Sequence, residues 1–280
     1  MSDLGKNLLW VLAAAQISCS SVQETLESAQ RIDSDMTYAS RVSYRGPDPS
    51  DIVGGQEVSR TDPTAKLAVL LLISRNSRLS TCTGVLIAKR VVLTAAHCVT
   101  NVEAQDVRIL FRTRINEVPA GLETFAEKIR IHEKFDGKAN SFSDLALLRL
   151  KSEAPPQYAP VPLFENGEKM IGDFVLLVGY GITDEKQKDS LTLRKTIKSL
   201  KNDIHIKHTF LGIEQKTNTG GFCRGDSGAP IIVNSARGQS LIGINSFTVG
   251  LQENRECHTA SVAMFIPHFA KWIKANASTL

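Results

Sequence analysis

With 280 residues, 42% hydrophobic and 22% charged, the chain has the composition of a soluble globular protein and room for one large domain or two modest ones. Its 33 basic and 29 acidic residues leave a net charge of only +4, with no basic stripe interleaved with aromatics, which argues against a nucleic-acid partner.

At the N-terminus Lys6 precedes the apolar run Leu8-Leu9-Trp10-Val11-Leu12-Ala13-Ala14-Ala15, followed by small and polar residues. A basic start, a short apolar stretch and small residues describe an export signal over residues 1–19, too short for a permanent membrane span of ~20 residues. Cys19 admits two readings. Cleavage after the alanines leaves it an odd thiol in the mature chain. Alternatively, Gln16-Ile17-Ser18-Cys19 resembles a loose bacterial lipobox, which would make Cys19 a lipidation site and give the exported protein a membrane anchor in the cell envelope. Residues 20–51 are rich in Ser, Asp, Glu and Gln and poor in apolar side chains, so they read as a flexible spacer or propeptide.

From Ile52-Val53-Gly54-Gly55 the pattern changes to short apolar runs separated by turns, and residues 52–280 are expected to form the folded domain. Strands are expected at Leu67–Ile73, Gly84–Ala88, Val91–Thr94, Val107–Phe111, Asp144–Leu150, Phe174–Gly179, Pro230–Val233 and Leu241–Ser246. Many short strands without intervening helices indicate an all-β sandwich or barrel. The clearest helix is Pro267–Ala277, with Phe269, Trp272 and Ile273 on one face and Lys271 and Lys274 pointing away. The stretches 112–128 and 183–218 carry few motifs and read as loops, with His205 and His208 as surface residues.

Five cysteines stand at 19, 82, 98, 223 and 257. In an exported chain they suggest two disulfides plus a special case, and in a reducing compartment free thiols. Val91–Thr94 leads into Ala95-Ala96-His97-Cys98. The His-Cys pair raises the question of a metal, but metal sites usually show several spaced ligands and none lies near in sequence. Asp144 sits at the lip of the apolar run Leu145–Leu148, where a carboxylate is costly to bury without a partner. A histidine N–H is such a partner and would fix the tautomer a general base needs. The run Gly221-Phe222-Cys223-Arg224-Gly225-Asp226-Ser227-Gly228-Ala229-Pro230 suits an irregular loop that exposes a serine hydroxyl and leaves main-chain N–H groups free.

Together Thr94–Cys98, Asp144–Leu148 and Gly225–Pro230 resemble the three signature segments of the trypsin-like (chymotrypsin-fold) serine peptidases, in that family's order of His, Asp, Ser. The resemblance implies two six-stranded antiparallel β-barrels with the site between them and a C-terminal helix. It implies that Ser227 is the nucleophile, His97 the base, Asp144 the orienting acid, and the Gly225 and Ser227 N–H groups the oxyanion hole. It pairs Cys82 with Cys98 and Cys223 with Cys257, and gives Ser246-Phe247 the place of a supporting Ser-Trp segment. It also implies a zymogen: cleavage before Ile52 frees an amine that pairs with Asp226. Asp51 is an unusual residue before such a cut, so either an acid-specific protease, this one included, or trimming from Arg45 would activate the chain.

The family's trypsin-like specificity needs an acid where this chain has Gly221, followed by Phe222, so the resemblance implies a non-tryptic endopeptidase acting on protein or peptide substrates without a cofactor. Thr248 and Ser261 align with wall positions that are glycine in open-pocket relatives, which favours small or aliphatic side chains. A rival reading, an acidic preference, rests on Asp51 together with Arg224 and His258 near the rim. A catalytically dead binding module is disfavoured because all three triad residues are present. A triad esterase is disfavoured because Gly225-Asp226-Ser227-Gly228-Ala229 does not match the Gly-x-Ser-x-Gly elbow.

Overall fold

The computed structural model describes residues 55–76, 78–117, 122–138, 141–183, 191–215, 220–249, 257 and 260–280. The export signal, Cys19, the spacer, Ile52 and His258 lie outside the described residues.

Among the described residues, fourteen strands and two α-helices follow one another. The first half contains β1 (Gln56–Glu57), β2 (Val69–Arg75), β3 (Arg78–Ala88), β4 (Val91–Thr94), the one-turn helix α1 (Ala96–Val99), β5 (Val107–Leu110), β6 (Glu123–Ile131) and β7 (Ala146–Leu150). The second contains β8 (Met170–Gly179), β9 (Arg194–Ser199), β10 (Ile204–Ile206), β11 (Phe210–Glu214), β12 (Pro230–Ser235), β13 (Gly238–Val249), β14 (Ala260–Phe265) and the terminal helix α2 (Ile266–Ala277).

Strands β2 to β7 close into a six-stranded barrel in the order β2-β3-β4-β7-β6-β5. The remaining strands form an eight-stranded sheet, β1-β9-β8-β12-β13-β14-β11-β10, whose six inner strands are extended at the edges by β1 and β10. This is the all-β architecture expected, of the chymotrypsin-fold type. No helix among the described residues is long and apolar enough to cross a membrane.

The unbroken apolar run Val69–Ile73 reflects burial on both faces. Val69, Leu71 and Ile73 enter a core with Val92, Ile109 and Leu148, while Leu70 and Leu72 enter a second core with Val178, Ile244 and Met264 of the other half. That second core welds the two halves together, and α2 adds Phe269 and Ile273 to it while Lys271 and Lys274 face solvent. A third core, with Leu177, Leu211, Ile213, Phe222 and Ala263, fills the second half.

The stretches expected to be loops hold strands β6, β9, β10 and β11. In β6 a register shift between Ala126 and Lys128 breaks the period of two. In β9 the usual order is inverted, with Ile197 62% exposed and Lys198 2% exposed. His205 and His208 are exposed, as expected.

Candidate active site

His97 is the second residue of α1, which follows β4 closely, and Asp144 lies just before β7, the strand that pairs with β4. This pairing sets the Asp144 carboxylate against His97 twice. Asp144 Oδ1 accepts the His97 main-chain N–H at 2.8 Å, and His97 Nδ1 lies 2.7 Å from Asp144 Oδ2. The Ser246 hydroxyl, from β13 of the other half, donates to the same Oδ2. Asp144 is fully buried, and these three donors supply what its desolvation requires. A carboxylate only accepts, so Nδ1 carries a ring hydrogen, and in the neutral ring Nε2 is then the acceptor.

Ser227 reaches the same place from the second half through its backbone. Its carbonyl accepts the Thr83 N–H of β3 at 2.8 Å, and Gly228 N–H donates to Asn245 O at 2.8 Å. The Cys98 sulfur lies 3.9 Å from His97 Nε2 and 3.8 Å from the Ser227 carbonyl oxygen, so histidine and serine flank one disulfide. Cys82–Cys98 and Cys223–Cys257 are the two bonds formed. Cys82, His97 and Cys98 are close enough to suggest a metal cluster, but both sulfurs are committed to the disulfide.

Gly225 has φ +97°, and a Cβ there would stand 3.1 Å from the Gly181 Cα, so both conformation and space call for glycine. The Arg224 carbonyl accepts the Ile182 N–H at 2.9 Å. Because the peptide is planar, this turns the Gly225 N–H to the opposite side. Among the described residues, no main-chain group accepts from the Gly225 or Ser227 N–H.

Asp226 points away from His97 into the second half and is fully buried. It accepts N–H groups from Gly181 at 2.7 Å and Cys223 at 2.9 Å. Gly179 and Gly181 make its room, since a Cβ on either would overlap the carboxylate. Burial pushes its carboxyl up to about 7, against the opposing pull of those two N–H groups and of Arg194.

The expected pocket residues lie on β13, on β14 and in the loop before β12. Thr248 and Ser261 are direct partners across β13 and β14, and Phe247 faces Val262. Gly221 and Phe222 are buried, whereas Arg224 is exposed. Sequence reasoning missed Gln215, which is 1% exposed and bonds to Phe222 and Cys257. It also missed Thr83, whose hydroxyl donates to Gly225 O at 3.0 Å. A glutamine just after a short strand, inside an expected loop, carries no sequence signal of its own.

Comparison with known proteins places the chain in a family. The Trypsin family profile matches residues 52–273. The chain is 26% identical over 213 residues to a trypsin of Saccharopolyspora erythraea, covering 71% of this chain and 87% of the relative. It is 29% identical over 218 residues to a chymotrypsin of Phaedon cochleariae, covering 71% and 76%. It is 26% identical over 248 residues to hypodermin-A of Hypoderma lineatum, covering 82% and 88%.

Proposed function

The chain belongs to the trypsin family and is a serine endopeptidase, and on that premise we propose that it works through His97, Asp144 and Ser227 as an exported, non-tryptic enzyme made as a zymogen. The observation that carries this reading is the buried Asp144 carboxylate, which accepts from the His97 backbone, the His97 ring and Ser246.

With Nδ1 held by Asp144, His97 Nε2 takes the proton of Ser227 Oγ as that oxygen attacks the scissile carbonyl carbon. The carbonyl π electrons move onto oxygen, and the Gly225 and Ser227 N–H groups receive the charge. Losing one such donor typically costs ~2.7–4 kcal/mol of transition-state stabilisation. When the tetrahedral centre collapses, the C–N bond breaks and the leaving amine takes the proton from His97. Water then repeats the sequence on the acyl-enzyme, and Ser227 regains its proton.

Asp226 is the switch. A buried carboxylate without a strong cationic partner is costly, and an amine freed at Ile52 would supply one. Cleavage at Asp51–Ile52, by another protease or by this one, would therefore complete the Gly225–Ser227 loop. The two disulfides support export, because such bonds persist in oxidising compartments. An apolar run followed by Cys19 supports a signal peptide or lipid anchor ahead of a spacer. Thr248 and Ser261, paired across the strands, narrow the primary pocket and favour small or aliphatic side chains.

The test is labelling by a fluorophosphonate probe. The processed enzyme should label at Ser227, and Ser227→Ala should abolish labelling. Equal labelling of both proteins would overturn the assignment.

A further inference from the structure

Gly221 brings no side chain to the base of the primary pocket, yet the space above it is filled. Leu211 and Ile213 of β11 point into the second half, and Gln215, the next residue of the same parity, follows them. A Cβ built on Gly221 would lie 2.5 Å from Gln215 Cγ and 2.6 Å from its Oε1. The Gln215 side chain thus stands where a side chain at 221 would otherwise stand.

Its amide is fixed at both ends. Gln215 Oε1 accepts the Phe222 N–H at 2.6 Å, and Nε2 donates to Phe222 O at 2.9 Å and to Cys257 O at 3.1 Å. Both amide hydrogens are committed, and one side chain ties the Phe222 wall to the Cys257 wall. Ser261 lies directly across from Ile213, so it shares this inner face, where its buried hydroxyl has no hydrogen-bond partner among the described residues.

Resting on the pocket assignment above, we propose that Gln215 is the floor of the primary pocket, a specificity-determining residue that closes it to a depth suited to small, uncharged side chains. The floor carries no negative charge to hold a lysine or arginine. Its hydrogens are spent on main-chain carbonyls, so it offers no donor to an acidic side chain. A Gln215 held by three hydrogen bonds also resists being pushed aside by a large aromatic residue.

The first test needs no catalysis. In the full-length chain carrying Ser227→Ala, indole binding is measured by calorimetry with and without a second change. Gln215→Ala should bind indole at least tenfold more tightly than Ser227→Ala alone. Gln215→Met, which keeps the volume but loses the amide bonds, should not. Where Gln215→Ala fails to fold, Gln215→Asn shortens the floor by one methylene and should give a weaker gain of the same sign. No gain on shortening, or an equal gain with Gln215→Met, would overturn the proposal. With Ser227 present, Gln215→Ala should raise the kcat/KM ratio for Phe over Ala at the cleaved position at least tenfold. Failure of the wild type to label with fluorophosphonate would sink the catalytic assignment and leave the indole result standing.

Discussion

The main-chain N–H of Thr83, on β3 of the closed barrel, donates to the carbonyl of Ser227 at 2.8 Å. The Ser227 loop belongs to the second half, so its position is fixed by the first. The Thr83 side chain extends the link, because its hydroxyl donates to Gly225 O at 3.0 Å and accepts the Tyr180 N–H at 3.3 Å.

Thr83→Val keeps the shape and removes that hydroxyl. It removes the partner of a half-buried carbonyl and of a buried N–H, and a buried group left unsatisfied costs ~1–3 kcal/mol. Denaturant unfolding should show a loss in that range. Acylation should slow while the ranking of substrates stays the same. Wild-type stability with wild-type kcat would show that Thr83 does not hold the loop.

Gly228 and Gly238 offer a controlled comparison. Both have positive φ, +81° and +92°, but their surroundings differ. A Cβ on Gly238 meets nothing within 4 Å, whereas one on Gly228 overlaps Thr94 Oγ1 and Thr83 O and comes within 3.0 Å of Ala95 N. Gly238→Ala should therefore cost only the conformational strain of ~1–2 kcal/mol. Gly228→Ala has to push apart the contact between the halves, and should unfold the protein or abolish fluorophosphonate labelling. Similar unfolding midpoints for the two variants would refute this.

The same contrast shows what a sequence can reveal. Val69–Ile73 is legible because burial on both faces demands an unbroken apolar run. The His97–Asp144 contact is legible because a carboxylate at the lip of an apolar run needs a donor to be buried. β9 is not, since its Lys198 is buried and its Ile197 exposed, the reverse of the rule by which strands are recognised. Gln215 is not legible either. Its role follows from hydrogen bonds to Phe222 and Cys257, seven and 42 residues away in the chain, which no local pattern encodes.

Asp144 and Ser246 should separate by magnitude. Asp144→Asn turns an acceptor-only group into one that can donate, which disfavours the tautomer with hydrogen on Nδ1. In the family's reference triad this exchange lowers kcat by ~10⁴ with the geometry kept, and a loss of that order is expected here. Ser246→Ala removes one of three donors to Asp144. A hydrogen bond to a charged group is worth ~1.5–3 kcal/mol, so kcat should fall by about ten- to a hundredfold. A Ser246→Ala loss as large as that of Asp144→Asn would mean Ser246 does more than support the carboxylate.

Asp226 should make the uncleaved chain less stable as pH rises. Its carboxyl is pushed by burial to about 7, against ~3.9 in an unfolded chain. Between these values the unfolded chain has released the proton and the folded chain has kept it. The folded state binds more protons there, so stability falls as pH rises through that window and levels off above it. His132 is lowered mainly by burial and has the opposite effect, so the informative quantity is a difference between proteins. In a Ser227→Ala background, which prevents self-cleavage, Tm is measured from pH 4 to 8 with and without Asp226→Asn. Asp226→Asn should lag at low pH and gain on the parent as pH rises to 7. In the processed form, pairing with the Ile52 amine would hold Asp226 well below its ordinary value. Its stabilisation would then be present at neutral pH and lost on acidification, reversing the slope. The same slope before and after processing would exclude Asp226 as the group that senses the cut.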